Sequence, residues 1–179
     1  MNIELPRLTI RHLLEHSFTR YQTLPAFGFV GDLPRSYKEI RAEVIKLGYE
    51  MLKSGIKPGD RVAILGENSP NWVISYLATV MFGAVAVPIL PGFSDSDTRH
   101  IIRNSESVAL FIAAAQKSKI DEMDHSSLHT LFSLEDFSQA TLKKDHLKTI
   151  EMTIQSVLQK KARNVDEMLE VLPVPEAGD

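Results

Sequence analysis

Between Asn68 and Ser94 the sequence runs 27 residues without a charged side chain, and no other feature restricts the possible folds as strongly. A run of about 18 or more such residues can cross a membrane as a helix, but the breakers inside this one argue otherwise. Asn68-Ser69-Pro70-Asn71 reads as a helix start, with proline where a missing N–H costs least. Gly83 and Pro88 interrupt the apolar stretch beyond it, and Ala84 to Leu90 has the β-branched character of a buried strand. The run is predicted to be a buried helix, Pro70 to Phe82, and then a buried parallel strand, and no transmembrane segment is expected. The start of the chain, Met-Asn-Ile-Glu-Leu-Pro-Arg, has a carboxylate and a proline where an export signal needs a basic start and an apolar run. Cysteine is absent, which fits a reducing, cytoplasmic setting.

The neighbours of the run extend the pattern. Lys57-Pro58-Gly59-Asp60 is a turn and Arg61 to Leu65 a strand; Ser94 with Asp97 is a capping box for a helix to about Ser105, and Val108 to Ala113 is a further strand. Strand, helix, strand, helix, strand with short connections predicts an α/β fold, a parallel sheet flanked by helices. Upstream, Thr9 caps a helix to about Tyr21 with Ile10, Leu13, Leu14, Ser17, Phe18 and Tyr21 on its apolar face. Ala26 to Val30 and Arg35 to Tyr37 form a hairpin around Gly31 to Pro34, and a helix from Lys38 to Lys53 ends at Gly55, placed for a left-handed cap. Further on, Lys117 to Asp124 reads as a helix, Thr130 to Leu134 as a strand, and Thr149 to Leu172 as a charged amphipathic helix or helix pair broken at Asn164. Eight of nine glycines lie between Gly28 and Gly92, and residues 93–172 contain neither glycine nor proline. The chain therefore divides into an α/β core, residues 1–115, and a mixed extension, 116–179.

Hydrophobic residues at 44% supply a core without metals or disulfides, and a net charge of −3 gives no basic surface for nucleic acid. Chemistry-bearing patterns are few. The turn Gly66-Glu67-Asn68-Ser69-Pro70 offers one glycine, a repelling carboxylate and a residue without N–H, so it reads as a plain connection, not a phosphate cradle. His12, Glu15 and His16 fit the H-x-x-E-H spacing of some zinc peptidases, yet they point away from the apolar stripe of their helix and are expected to face water. His125 and His129, with Asp121, Glu122 and Asp124 upstream, could share a helical face as metal ligands, or form a polar surface. No G-x-S-x-G elbow surrounds any serine. Trp72, Tyr76 and Met81 are expected in the core.

From Thr9 to about Phe137 the segment order resembles the adenylate-forming superfamily, and within it the long-chain fatty acid CoA ligases. Thr9-Ile10-Arg11-His12-Leu13-Leu14-Glu15 followed by Pro25-Ala26-Phe27-Gly28 resembles the opening helix and first strand of that family. Arg35-Ser36-Tyr37-Lys38-Glu39-Ile40 is similar to its first core motif, and Met81-Phe82-Gly83-Ala84-Val85-Ala86-Val87-Pro88 to its second. Between them lie Gly55 to Ile64 and Asn68 to Trp72, its most recognisable early stretch. Ile89-Leu90-Pro91 and Leu134-Glu135-Asp136-Phe137 resemble the fatty-acyl branch.

The resemblance implies an incomplete portion of the large N-terminal domain of these enzymes. It also implies the parent reaction, in which a fatty acid carboxylate attacks the α-phosphorus of ATP to give acyl-adenylate and pyrophosphate, and coenzyme A thiolate then displaces AMP. ATP, Mg²⁺ and coenzyme A are therefore the implied cofactors and partners of the parent. The Ser/Thr/Gly-rich loop ending in Pro-Lys-Gly does not occur here, nor do the later motifs. Pro175 to Asp179 resembles the stretch just ahead of that loop. No catalytic, cofactor-binding or metal residue is therefore assigned to this chain, and Tyr37, Gly59, Asp60, Gly83 and Pro88 are expected to be structural. An N-terminal ligase portion, inactive alone, is the leading reading. The rivals are a stand-alone interaction module docking through 149–172 and a zinc peptidase using His12, Glu15 and His16. A sheet cut within its domain is also expected to associate as a homodimer through an exposed edge or a swapped segment.

Overall fold

The computed structural model describes residues 9–120 and 127–142. Helix α1 (Ile10–Arg20) begins at Thr9, whose hydroxyl accepts the His12 N–H. A short antiparallel pair comes next, β1 (Pro25–Phe27) and β2 (Arg35–Ser36). The expected first strand stops short of Val30 because the chain folds back on itself: a Cβ on Gly28 would lie 2.9 Å from Pro34 Cα. That leaves the tip in solvent, with Val30 at 107% exposure. Helix α2 (Tyr37–Lys53) starts one residue earlier than predicted, on a full capping box in which Ser36 and Glu39 satisfy each other's backbone N–H. It ends before Gly55, whose φ of 85° is the left-handed conformation expected there.

The predicted β/α alternation is present. Strand β3 (Arg61–Leu65), helix α3 (Pro70–Met81), strand β4 (Val85–Ile89), helix α4 (Asp95–Asn104) and strand β5 (Ala109–Ile112) occur in turn. Of the helix expected from Lys117 to Asp124, the described part, to Ile120, belongs to a 3₁₀ helix, Ala114–Ile120, and the remainder lies outside the described residues. Strand β6 (Thr130–Ser133) turns back through an unpredicted strand β7 (Gln139–Thr141). The sheet order is β4-β3-β5-β6-β7, parallel except for β7. No helix among the described residues is long and apolar enough to cross a membrane.

Alternation along the strands separates two cores. On the front face Val62, Ile64, Ala109, Phe111 and Phe132 pack beneath α2 and α3, with Phe18 of α1 in the same cluster. On the back face Ala63, Leu65, Ile89, Leu110 and Ile112 meet Ile102 of α4, Ile120 and Leu128. α1 departs from its predicted orientation. Ile10 and Leu13 are 43% and 45% exposed, while the Arg11 side chain retains only 15% exposure and pairs with Glu15 at 2.9 Å. Phe18 sets the rotation of this helix, and an ion pair fills the inner position that apolar periodicity assigns to Leu13.

The free edge at β4 is chemically blunt. The Val85 N–H donates to Asp60 O at 2.8 Å, and in a parallel ladder alternate residues serve the same neighbour. Ala86 and Pro88 therefore turn their main-chain groups outward, and Pro88 has no N–H to offer.

Candidate functional site

In an open parallel sheet, ligands bind outside the carboxyl ends of the strands where successive connections diverge. Here that point lies between β3 and β5. The chain leaves β3 over the front through α3 to β4, and crosses the back through α4 to β5. Around the crevice stand the start of α3, the residues after β5 and the corner between β6 and β7.

These groups are already engaged with one another. A Cβ on Gly66 would lie 2.5 Å from Leu134 Cδ1 and 3.1 Å from Ala113 Cβ, so this glycine makes room for the corner, not for a phosphate. The Ala113 N–H donates to Leu65 O at 2.9 Å. The next N–H, of Ala114, donates to Glu135 Oε1 at 2.8 Å, and Ser133 Oγ donates to Glu135 Oε2 at 2.7 Å. These two bonds, the backbone one first, hold the Glu135 carboxyl below the usual range, although Glu135 remains largely exposed. A carboxylate from the chain itself thus sits where a bound anion would be expected.

Asn71, on the first turn of α3, locks the arrangement. Its Nδ2 donates to the carbonyls of Leu134 and Glu135 at 2.8 and 3.0 Å, and its Oδ1 accepts from Arg35 Nη1 at 3.3 Å. Arg35 in turn pairs with Glu43 at 2.6 Å. One amide therefore joins the hairpin, α2, α3 and the corner. The corner is tightened further by Asp136, which accepts from Ser138 N and Oγ, its carboxyl lowered by those bonds. Phe137 takes a left-handed φ of 59° with its ring edge-on to Phe111. At the end of β4, Lys119 Nζ donates to the carbonyls of Pro91 and Phe93, fastening that loop to the 3₁₀ helix. The chain's own groups thus take the Ala113 and Ala114 N–H donors and the space beside Gly66.

His12, Glu15 and His16 do not converge on a metal geometry. Thr9 Oγ1 and His12 Nδ1 lie 2.7 Å apart, Glu15 is held by Arg11, and His16 Nε2 is buried without a hydrogen-bond partner. Contrary to the expected solvent-facing placement, all three side chains are half-buried, because α1 turns that side toward α2 and α3. Among the described residues, no group of three or more His, Asp or Glu could hold a metal ion. His129 Nδ1 lies 2.9 Å from Thr130 Oγ1, while Asp121, Glu122, Asp124 and His125 fall outside the described residues, as do 149–172 and Pro175 to Asp179. The positions expected to be structural make local contacts. Asp60 accepts the Lys57 N–H at 2.7 Å, Gly59 N–H donates to Gly83 O at 2.8 Å, and Tyr37 packs 5.9 Å from Tyr21. Trp72, half-buried against the front core, stacks on Tyr76 at 5.8 Å. Asn71 and Glu135 carry no active-site sequence signature, since each works through main-chain groups distant in sequence.

A helix-flanked sheet of this order is the architecture of the N-terminal domain of adenylate-forming enzymes. It superposes on the Mycobacterium tuberculosis fatty acyl CoA synthetase with a TM-score of 0.65 at 22% identity, over 77% of this chain and 30% of that one. The chain belongs to the family of AMP-binding enzymes, whose sequence description matches residues 14–173. Fatty acyl-CoA synthetase A of Dictyostelium discoideum is 28% identical over 131 residues, covering 73% of this chain and 20% of the relative. Long chain acyl-CoA synthetase 3 of Arabidopsis thaliana is 35% identical over 89 residues, covering 50% and 13%. The chain thus spans at most a fifth of the length of these two curated relatives.

Proposed function

We propose that this chain is the N-terminal structural part of an ATP-dependent long-chain fatty acid CoA ligase and is inactive by itself. The observation that carries the reading is the self-occupied crevice: Glu135 takes the Ala114 N–H, and Leu134 takes the space beside Gly66. The fatty-acyl assignment is supported by the names of the relatives and by the Leu134 to Phe137 corner. ATP, Mg²⁺, coenzyme A and a fatty acid are the ligands of the whole enzyme, located in the cytoplasm, and no residue of this chain is assigned to bind them. The core, 1–115, and the extension, 116–179, act as one support for parts of the enzyme that carry the chemistry.

Two assays test this. The 179-residue chain, given palmitate, ATP, Mg²⁺ and pyrophosphate, is expected to show no ATP–pyrophosphate exchange above the blank, and turnover would overturn the inactivity. Replacing the matching segment of a long-chain acyl-CoA synthetase with residues 9–142 is expected to give an active chimera that still acts on long-chain acids. A folded but inactive chimera would count against the assignment. Homodimerisation is part of the same reading. With Pro88 blunting the ladder, two copies would meet through the exposed Val85, Leu90 and Phe93 side chains, not through a continued sheet. A concentration-independent monomer in sedimentation would remove it.

A further inference from the structure

We propose that the seam between α4 and the 3₁₀ helix holds a buried water molecule that bridges Thr98 and Gln116. Among the described residues, the buried polar side chains are Ser75, Thr79, Thr98, Ser107 and Thr130. All but one are engaged. Ser75 and Thr79 donate to the carbonyls one turn back along α3, each at 2.8 Å, Ser107 Oγ lies 2.7 Å from Ser105 Oγ, and Thr130 Oγ1 lies 2.9 Å from His129 Nδ1. Thr98 is the exception: it is fully buried, and its hydroxyl bonds to nothing among the described residues, not even to the carbonyl one turn back on its own helix. Polar groups enclosed in this way are, in folded chains, satisfied by protein or by ordered water.

The chemistry of the bridge follows from what lies opposite. Thr98 stands one turn before Ile102, so the two share a face of α4, and Ile102 joins Ile120 of the 3₁₀ helix in the back core. Gln116 is on that 3₁₀ helix, and its Oε1 is also buried without a partner among the described residues. Elsewhere the seam is joined directly: Arg99 Nε donates to Lys119 O at 2.8 Å, and Lys119 Nζ donates to the Pro91 and Phe93 carbonyls that lead into α4. The two remaining oxygens need a donor between them. A water molecule donates to Gln116 Oε1 and makes a second bond with Thr98 Oγ1, which can donate or accept. It reaches both atoms when they are up to about 5 Å apart. A cation is disfavoured by Arg99 and Lys119 in the same seam, and an anion has no proton for the Gln116 oxygen. The bridge fixes the start of α4 to the segment that follows β5, at the carboxyl end of the sheet.

Two measurements on the full chain test this. A crystal structure that shows ordered water is expected to place one molecule within about 3.2 Å of both Thr98 Oγ1 and Gln116 Oε1. A direct bond between these atoms, another side chain bonded to either of them, an ion in that position, or no density between them would overturn the proposal. In solution, Thr98→Val keeps the shape and removes the hydroxyl, and Gln116→Met removes the amide. Each is expected to lower Tm by about 2–4 °C, and the double variant by clearly less than the sum, because the first substitution already releases the water. An unchanged or raised Tm for Thr98→Val would reveal a hydroxyl that was merely buried, and additive losses would reveal two atoms that share nothing. Either result would overturn the bridge.

Discussion

The two faces of the sheet share the same five strands and differ in what lies on them. On the front, two long helices and Phe18 of a third enclose a single cluster running from Ile40 to Leu134, with Phe111 stacked on Phe132 at 4.7 Å. On the back, five buried strand residues meet, among the described residues, Leu128, one ten-residue helix and a 3₁₀ helix. Strand alternation makes the comparison direct, because neighbouring residues such as Ile64 and Leu65 are equally buried and face opposite ways. The difference lies in how many elements would have to move to fill a void, which sets the cost of making one.

The largest expected effect uses that pair. Ile64→Ala and Leu65→Ala each fall in the range of about 2–5 kcal/mol, with the front substitution nearer the top and the back one nearer the bottom. Equal losses in urea denaturation would erase the distinction between the faces. Next comes Gly48→Ala, whose new methyl group would overlap the Phe82 ring where α2 meets the end of α3. It is expected to cost about 1–3 kcal/mol, and Phe82→Leu in the same chain should recover part of that loss. Full additivity of the two would show that the front helices are not interlocked at this ring. Asn71→Ala strips donors from two carbonyls and an acceptor from Arg35, with an expected loss of about 1–3 kcal/mol and faster amide exchange at the β6–β7 corner, read by hydrogen exchange. Unchanged exchange there would mean that the corner holds without its amide.

The smallest effect is a pH dependence. Glu39, Glu135 and Asp136 all have lowered pKa values, from hydrogen bonds to Ser36, to Ala114 and Ser133, and to Ser138 respectively. A lowered carboxylate contributes stability that is present above its unfolded pKa and is lost as pH falls through the folded one. The Tm gap between the native chain and its Glu135→Gln variant should therefore shrink as pH falls below the ordinary carboxylate range. A gap that stays constant between pH 7 and 3 would show that the Glu135 charge adds nothing at the crevice.

The legible part of the sequence is the part that neighbouring residues decide among themselves. The stretch from Arg61 to Ile112 can be read almost to the residue because Ser69, Pro70, Ser94 and Asp97 punctuate it locally. The Ser36–Glu39 capping box carries an equally local signal at the start of α2, one residue before the predicted boundary. The rotation of α1 is not legible, since an Arg11–Glu15 pair can occupy an inner face only when the packing against α2 and α3 is known. Strand β7 is three residues long and exists by pairing with β6, so no periodicity announces it. The composition of the Gly66 turn predicts a plain connection, but the placing of Leu134 and Glu135 beside it is not legible, since it depends on contacts more than 60 residues away in the case of Asn71.

Trp72 is the only tryptophan in the chain, and it adjoins Asn71 on the first turn of α3, with its backbone N–H on Ser69 and its ring on Tyr76. Its emission is therefore a native optical reporter of that turn. A shift in emission on loosening the Asn71 contacts would register opening of the β6–β7 corner without any added label. The chain thus carries, one residue from the amide that ties α3 to the β6–β7 corner, a probe that can watch that corner open.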